Sequence, residues 1–354
     1  MKTVIKILLV IAGACFAFGM IFFAIGIGFG GFQLKETVKG WTTVTYDNYD
    51  KDFVGDVKDI EIELGAGNIS VVRGDKFNLK ATNVVSGAFD NARIDEEGTL
   101  RIEDESEYTL FNIVDYSGEI VITIPEEFEA EKIYIQTGAG NVTIIDLKAT
   151  EDISFDFGAG NAVLGDITAG DEVYIQTGAG NVTCRNITGE KVDINTGVGE
   201  FTAVGGAIAA TDVTVQTGVG GVNLGDIKAD NFNLSGGVGE ISVKNADVVL
   251  ADIDIGTGNF RMTAKIKETL DYDGGVGSGE ITVIGEEDDY FISVTQGAGD
   301  VTVGDNSYSA AGGNFTTGNS SAKNKIDIDT GVGDFTINFT PEMTAEKVPE
   351  DKAA

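Results

Sequence analysis

The side chains best suited to chemistry in this sequence are acidic. Its 354 residues include 57 Asp and Glu against 24 Lys and Arg, for a formal net charge of −33, and no histidine. Without an imidazole, serine–histidine and cysteine–histidine nucleophile systems are excluded, and so are histidine-ligated metal centres. What remains is carboxylate chemistry: calcium coordination, or the Asp pairs with Arg by which some parallel β-helix enzymes cleave polysaccharides. The arginines, Arg73, Arg93, Arg101, Arg185 and Arg261, are scattered along the chain. No catalytic or cofactor-binding residue is assigned, and the chain is expected not to be an enzyme. For calcium, the candidates are the acids that follow a recurring Gly-x-Gly unit: Glu200, Glu240, Glu280, Asp300 and Asp334. Repeated Gly/Asp turns bind calcium in some β-rolls. Asn141, Asn161, Asn181, Gly221 and Asn259 fill the same slot in other copies. A solvated anionic edge that deters lateral aggregation is therefore the simpler account, and no cofactor is expected beyond calcium as a candidate.

The elements that position these acids follow from the repeat. The glycine pairs Gly65 and Gly67, Gly138 and Gly140, Gly158 and Gly160, Gly178 and Gly180, Gly197 and Gly199, Gly218 and Gly220, Gly237 and Gly239, Gly256 and Gly258, Gly297 and Gly299, and Gly331 and Gly333 share one pattern, with a further copy opening at Gly277. From Gly138 to Gly297 the steps are 20, 20, 19, 21, 19, 19, 21 and 20 residues. A period held over so many copies indicates a solenoid. A dinucleotide loop is not indicated, because that motif occurs once, between a strand and a helix.

Residues flanking the glycines alternate. Val173, Ile175, Val182 and Cys184 share one parity with polar residues between them, as do Ile133, Ile135, Val142 and Ile144. Period-two alternation means strands with one buried face. The expected fold is therefore all-β: a parallel β-helix or β-solenoid of ~20-residue rungs, each reading strand, Gly-x-Gly corner, strand, small turn. Roughly 13 rungs would give a rod on the order of 60 Å. The glycines are structural corners, needed for positive φ and for close stacking. The small or β-branched residue between them suits an inward corner position. Cys184 occupies the slot of Ile144 and Leu164 and is expected to be a buried apolar residue. Cys15 lies far away in the N-terminal apolar run, so no disulfide framework is expected.

Four segments are expected. Residues 1–35 read as a transmembrane signal-anchor, since an uncharged run extends from Ile7 to Leu34 behind Lys2 and Lys6. Cleavage among the small residues Gly26, Gly28, Gly30 and Gly31 is the competing account, and Ala12-Gly13-Ala14-Cys15 loosely follows a lipobox. Residues 36–55 read as a juxtamembrane linker with a first strand, 56–340 as the solenoid, and 341–354 as a disordered acidic tail. Within the solenoid, the acidic stretch Glu96–Glu107 is expected in a loop. The polar stretch Gly304–Lys325 is expected to project from one corner, leaving Phe335–Phe339 as the C-terminal cap.

The run Ile60-Glu61-Ile62-Glu63-Leu64-Gly65-Ala66-Gly67-Asn68-Ile69, then Gly98-Thr99-Leu100-Arg101-Ile102, Ile120–Pro125 and the rungs from Ile133 resemble the bacterial DUF4097 putative-adhesin family, which includes LiaG-like envelope proteins. The resemblance spans roughly residues 55–340. It implies a β-solenoid behind an N-terminal membrane segment and brings no catalytic residues. The function expected is a non-enzymatic, single-pass surface module on the extracytoplasmic face, touching cell-wall polymer, another envelope protein or a like copy. The alternative is a regulatory envelope-stress component acting through a membrane partner, with a carbohydrate-active β-helix enzyme as a third possibility. Nucleic acid is not an expected partner, because the body is strongly anionic.

Overall fold

The computed structural model describes residues 45–104, 118–309 and 312–341. The expected membrane helix over 1–35 and almost all of the expected tail lie outside the described residues. Among the described residues no helix is long and apolar enough to cross a membrane. All regular elements among them are strands, apart from the one-turn helix Glu287–Asp289.

Alternation along the chain produces this architecture. In the strand Ile133–Ala139 the residues Ile133, Ile135 and Thr137 point inward and are buried. Ile153–Ala159 repeats the pattern and pairs with it in parallel, Ile153 on Ile133 and Phe155 on Ile135. Each backbone N–H that faces along the stack is thereby satisfied by the next rung, and each inward side chain packs on its own equivalents. Beyond the glycine corner, Val142 and Ile144 are buried, and then the parity changes so that Leu147 and Ala149 point inward. The chain bends between Ile145 and Asp146, so a rung has three faces where the sequence suggested two strands. A ladder of side chains marks this bend. Asp146 accepts from the Asp166 amide at 3.0 Å, Asn186 donates to Asp166 at 2.7 Å, and Asn186 accepts from the Ala207 amide at 2.9 Å. Arg185 spans the two carboxylates Asp146 and Asp166 from outside.

The stacking order departs from the sequence order at both ends. Read by register, the first buried column runs Leu100, Ile60, Ile133, Ile153, Val173, Val192, Val213, Phe232, Ala251, Leu270, Ile326, Ile292. These twelve rungs span on the order of 50 Å at ~4.8 Å per step. Asp59–Ala66, the first parallel strand of the sequence, lies between Thr99–Glu103 and Ile133–Ala139. At the other end Asn324–Val332, late in the sequence, lies between Phe260–Val276 and Tyr290–Ala298.

Antiparallel strands then close the stack. Asn78–Val85 pairs with Glu119–Pro125, and Tyr46–Asp52 pairs with Asn78–Val85. At the far end Gly313–Gly318 pairs with Tyr290–Ala298, and Asn306–Ser309 with Asp300–Val303. The expectation for Gly304–Lys325 is corrected here. This stretch supplies the C-terminal cap, with Tyr308 and Phe315 stacked at 3.8 Å between ring centroids. Phe335–Thr340 is an internal strand between Gly279–Ile284 and Asp300–Val303, so it caps nothing. Likewise, Thr99–Glu103 is a strand inside the acidic stretch assigned to a loop, held by pairing to Asp59–Ala66. Among the described residues the outermost pairings at both ends are therefore antiparallel.

Candidate functional site

The corner glycines form continuous columns. A Cβ on the first glycine of a pair would approach the carbonyl oxygen of its counterpart in the adjoining rung, from 1.9 Å at Gly297 to 2.6 Å at Gly178. On the second glycine the approach runs from 1.6 Å at Gly180 to 2.1 Å at Gly299, closer than on the first in every pair but Gly297 and Gly299, and φ is positive, for instance +146° at Gly220. Gly65 and Gly67 stack on Gly138 and Gly140, with Gly67 at φ 132°. Only the second glycine of each pair carries the left-handed backbone; the first is needed for space.

Two details of the sequence reading change. The copy placed at Gly277 opens at Gly275, which stacks on Gly256, while Gly277 is the second glycine and stacks on Gly258. The residue between the glycines points outward, not inward. Val198, Val219, Val238, Val276 and Val332 are each about half exposed, forming with Thr257 one register column.

The acids proposed for calcium do not form one column. Gly221 separates the rungs of Glu200 and Glu240. Glu280 lies beside Arg261, and Ser278 takes its expected slot. Arg261 contacts Glu240 at 3.0 Å and Glu280 at 3.9 Å, and the Asp300 amide donates to Asp334 at 3.0 Å. Among the described residues no group of three or more His, Cys, Asp or Glu is arranged to hold a metal ion. Cys184 is buried between Leu164 and the rung of Phe201, and burial pushes its thiol pKa up.

Sequence reasoning missed two outward features. One is a grid of carboxylates on the C-terminal half, Asp252, Asp271 and Asp327 beside Asp254, Asp273 and Asp329. Partial burial raises the pKa of Asp271, and the neighbouring carboxylates of Asp252 and Asp327 raise it further. The other is a groove of about 730 Å³ that runs across five rungs of the first face. Its floor is glycine and threonine: Thr177-Gly178, Thr196-Gly197, Thr217-Gly218 and Gly236-Gly237. Along one side runs the column Gln176, Asn195, Gln216, Ser235 and Asp254, each in register with the next. The half-exposed Val198, Val219 and Val238 follow along the chain, beyond the residues that line the groove.

The polar groups of the groove are only partly used. Gln176 Oε1 accepts from Tyr174 at 2.6 Å, and Asn195 Nδ2 donates to Asp193 at 2.8 Å. Thr177 and Thr217 lie on the opposite face of these strands: they are more than nine-tenths buried, point inward with Ile175 and Val215, and their hydroxyls have no hydrogen-bond partner among the described residues. A buried unpaired hydroxyl is uncommon in native structures. A single charged side chain, Asp254, lines the groove. The sequence signal was present: Gln-Thr-Gly-Ala-Gly, Asn-Thr-Gly-Val-Gly and Gln-Thr-Gly-Val-Gly on consecutive rungs.

A sequence profile described as Toastrack DUF4097 matches residues 57–338. No curated protein sequence matches the chain. Among solved structures, similarity extends to a protein described as a "putative adhesin" from Bacteroides fragilis, 14% identical, covering 83% of this chain and 98% of that one, TM-score 0.35. A "putative cell adhesion protein" from Clostridium sporogenes is 11% identical, covering 84% and 100%, TM-score 0.24. A "putative lipid binding protein" from Parabacteroides distasonis is 16% identical, covering 82% and 96%, TM-score 0.36.

Proposed function

The chain belongs to the Toastrack DUF4097 family, and from that premise we propose that it is a non-enzymatic interaction module of the cell envelope. In this reading residues 1–35 anchor the chain as a single-pass helix and residues 36–55 link it to the body. The solenoid, 56–340, stands on the extracytoplasmic face and 341–354 trails as an acidic tail. Support for the anchor comes from the uncharged run Ile7–Leu34 behind two lysines.

The observation that carries the proposal is the groove. It is a long, shallow trough, repeated rung by rung, on a body of formal charge −33, and Asp254 is the one charged side chain lining it. An extended partner with a repeating structure fits such a trough better than a compact substrate, for which a concave pocket with a few convergent polar groups is usual. Strong net negative charge keeps the body soluble and deters anionic partners elsewhere on the surface.

The test uses the full-length chain in detergent, incubated with isolated cell walls and with membranes from the same cells. Retention on walls, reduced by substitutions in the groove, is the expected result. No retention on walls, together with no cross-linked envelope protein, refutes the proposal.

A further inference from the structure

We propose that the C-terminal rung, residues 324–340, is an exchangeable element, and that the slot it fills accepts the same rung from a second copy of this chain.

Chain order makes the exchange possible. Two rungs stand out of sequence order, residues 59–74 and 324–340. The first leads at both ends into described strands, Tyr46–Asp52 before it and Asn78–Val85 after it. The second is joined to a described strand at one end only, through residues 319–323. Its slot is built entirely from strands that precede it. Phe260–Val276 and Gly279–Ile284 form one wall, and Tyr290–Ala298 and Asp300–Val303 form the other. The rung can therefore leave by the opening of one link, while both walls stay continuous with the body.

That link suits the role of a hinge. Residues 319–323 make a tight, mostly exposed turn. The Asn319 amide donates to the Tyr290 carbonyl at 2.8 Å, the Ala322 amide to the Asn319 carbonyl at 3.0 Å, and the Ser321 amide to Asn319 Oδ1 at 2.9 Å. Water can replace those bonds when the turn straightens, and five extended residues reach about 17 Å. The seated rung also carries a charge penalty. Asp327 and Asp329 lie in register with Asp271 and Asp273, and like charges opposite one another on a sheet face oppose pairing.

The slot is keyed to this rung and not to strands in general. Gly279 interrupts an inward column between Phe260 and Phe335. A Cβ has no room there because the Phe335 ring fills the space, packed on Tyr272 at 4.6 Å between centroids. Ile326, Ile328 and Ile337 are buried, and Gly331 stacks between Gly275 and Gly297. A second copy supplies all of these features by identity. Closed and exchanged forms make the same contacts, so protein concentration decides between them. Once seated in either body the rung is held by ladders on both sides, and an exchanged pair persists.

The experiment mixes two full-length chains in detergent, both Cys15→Ser, one carrying Thr302→Cys and the other Thr336→Cys. These outward, partly exposed positions are register partners across the slot, and the native Cys184 is buried. The mixture is annealed just below Tm at low and high protein concentration, cooled and oxidised. Disulfide-linked pairs are read on non-reducing gels, with the bonded positions identified by mass spectrometry. Interchain linkage is expected to rise with concentration and to exceed at least tenfold that of Thr183→Cys mixed with Thr202→Cys, register partners in the middle of the stack. One chain carrying both Thr302→Cys and Thr336→Cys is expected to close internally at low concentration. Internal closure without any interchain linkage overturns the proposal. Equal linkage by the mid-stack pair also overturns it, since that marks unspecific association. Failure of the doubly substituted chain to close removes the slot itself, and the proposal with it.

Discussion

Substituting Gly220 by alanine isolates what the corner columns contribute. At Gly220 φ is +146°, and an added Cβ would lie 1.7 Å from the Gly199 carbonyl oxygen and 2.6 Å from its carbonyl carbon. Both atoms are backbone in a ladder that is bonded on each side, so relief requires the two rungs to separate locally. The backbone conformation alone costs an L-residue about 1–2 kcal/mol. Overpacking in a closely packed setting costs about 1–3 kcal/mol more, so Gly220→Ala is expected to destabilise by about 2–5 kcal/mol. Two comparison variants divide that figure. Gly205 has φ +90° with nothing within 4 Å of an added Cβ, so Gly205→Ala carries only the conformational part. At Gly218 the added Cβ would meet the Gly197 carbonyl oxygen at 2.6 Å without a left-handed φ, so Gly218→Ala carries only the steric part. Urea unfolding followed by far-ultraviolet circular dichroism gives the midpoints, with Gly220→Ala expected lowest of the three. A Gly220→Ala midpoint equal to that of Gly205→Ala would refute the argument that rung-to-rung crowding selects glycine.

Other outcomes follow from single sites. Phe232, buried to 1% exposure in the first inward column, should cost about 3–5 kcal/mol when changed to alanine, read from the same urea curves. Because the folded-state pKa of Asp271 is raised, the native state binds more protons than the unfolded chain between the ordinary Asp value and the raised one. Stability therefore falls as pH rises through that window, and Asp271→Asn should raise Tm at neutral pH while flattening the fall. Asp95 behaves in the opposite sense. The hydrogen bond from Arg101, with further bonds from the Thr99 and Glu97 amides, holds it at about 2. Its contribution is present above the ordinary Asp value and is lost only as pH falls towards 2, so Asp95→Asn should lower Tm at pH 7 and converge with the parent chain near pH 2. Native Cys184 should resist maleimide labelling that proceeds readily in urea, since burial suppresses its thiolate.

The middle of the fold is legible in the sequence because stacking there is local in sequence. Ile153, Val173 and Val192 recur at nearly constant spacing, and each inherits the slot of the one before. The ends are not legible for the same reason. Ile326 carries the inward pattern of any rung, and nothing in its neighbourhood says that it docks on Leu270 and not on Ile292 alone. Parallel pairing is chosen by what lies on both sides, which is a property of the assembled stack. The frame at Gly275-Val276-Gly277 was obscured because Gly277-Ser278-Gly279 satisfies the same pattern two residues later. The outward direction of Val198 and its equivalents was obscured by composition, since an exposed valine beside two glycines has the same letters as a buried one. The glycine positions of the candidate groove were therefore readable, while its edges were not. An amide column becomes visible only when residues about twenty positions apart are set side by side.

The order of rungs at the two ends has a mechanical consequence. Tyr46–Asp52, the first described strand, is outermost and pairs with Asn78–Val85 alone among the described residues, whereas Asp59–Ala66 is flanked by a bonded neighbour on each side, and so is the last described strand, Phe335–Thr340. A pull transmitted along either strand would load two ladders in shear at once, where an outermost strand would peel away bond by bond. Tension entering from the N-terminal side would therefore strip Tyr46–Asp52 first and meet a clamp only at Asp59–Ala66, whereas tension from the C-terminal side would meet one at once in Phe335–Thr340.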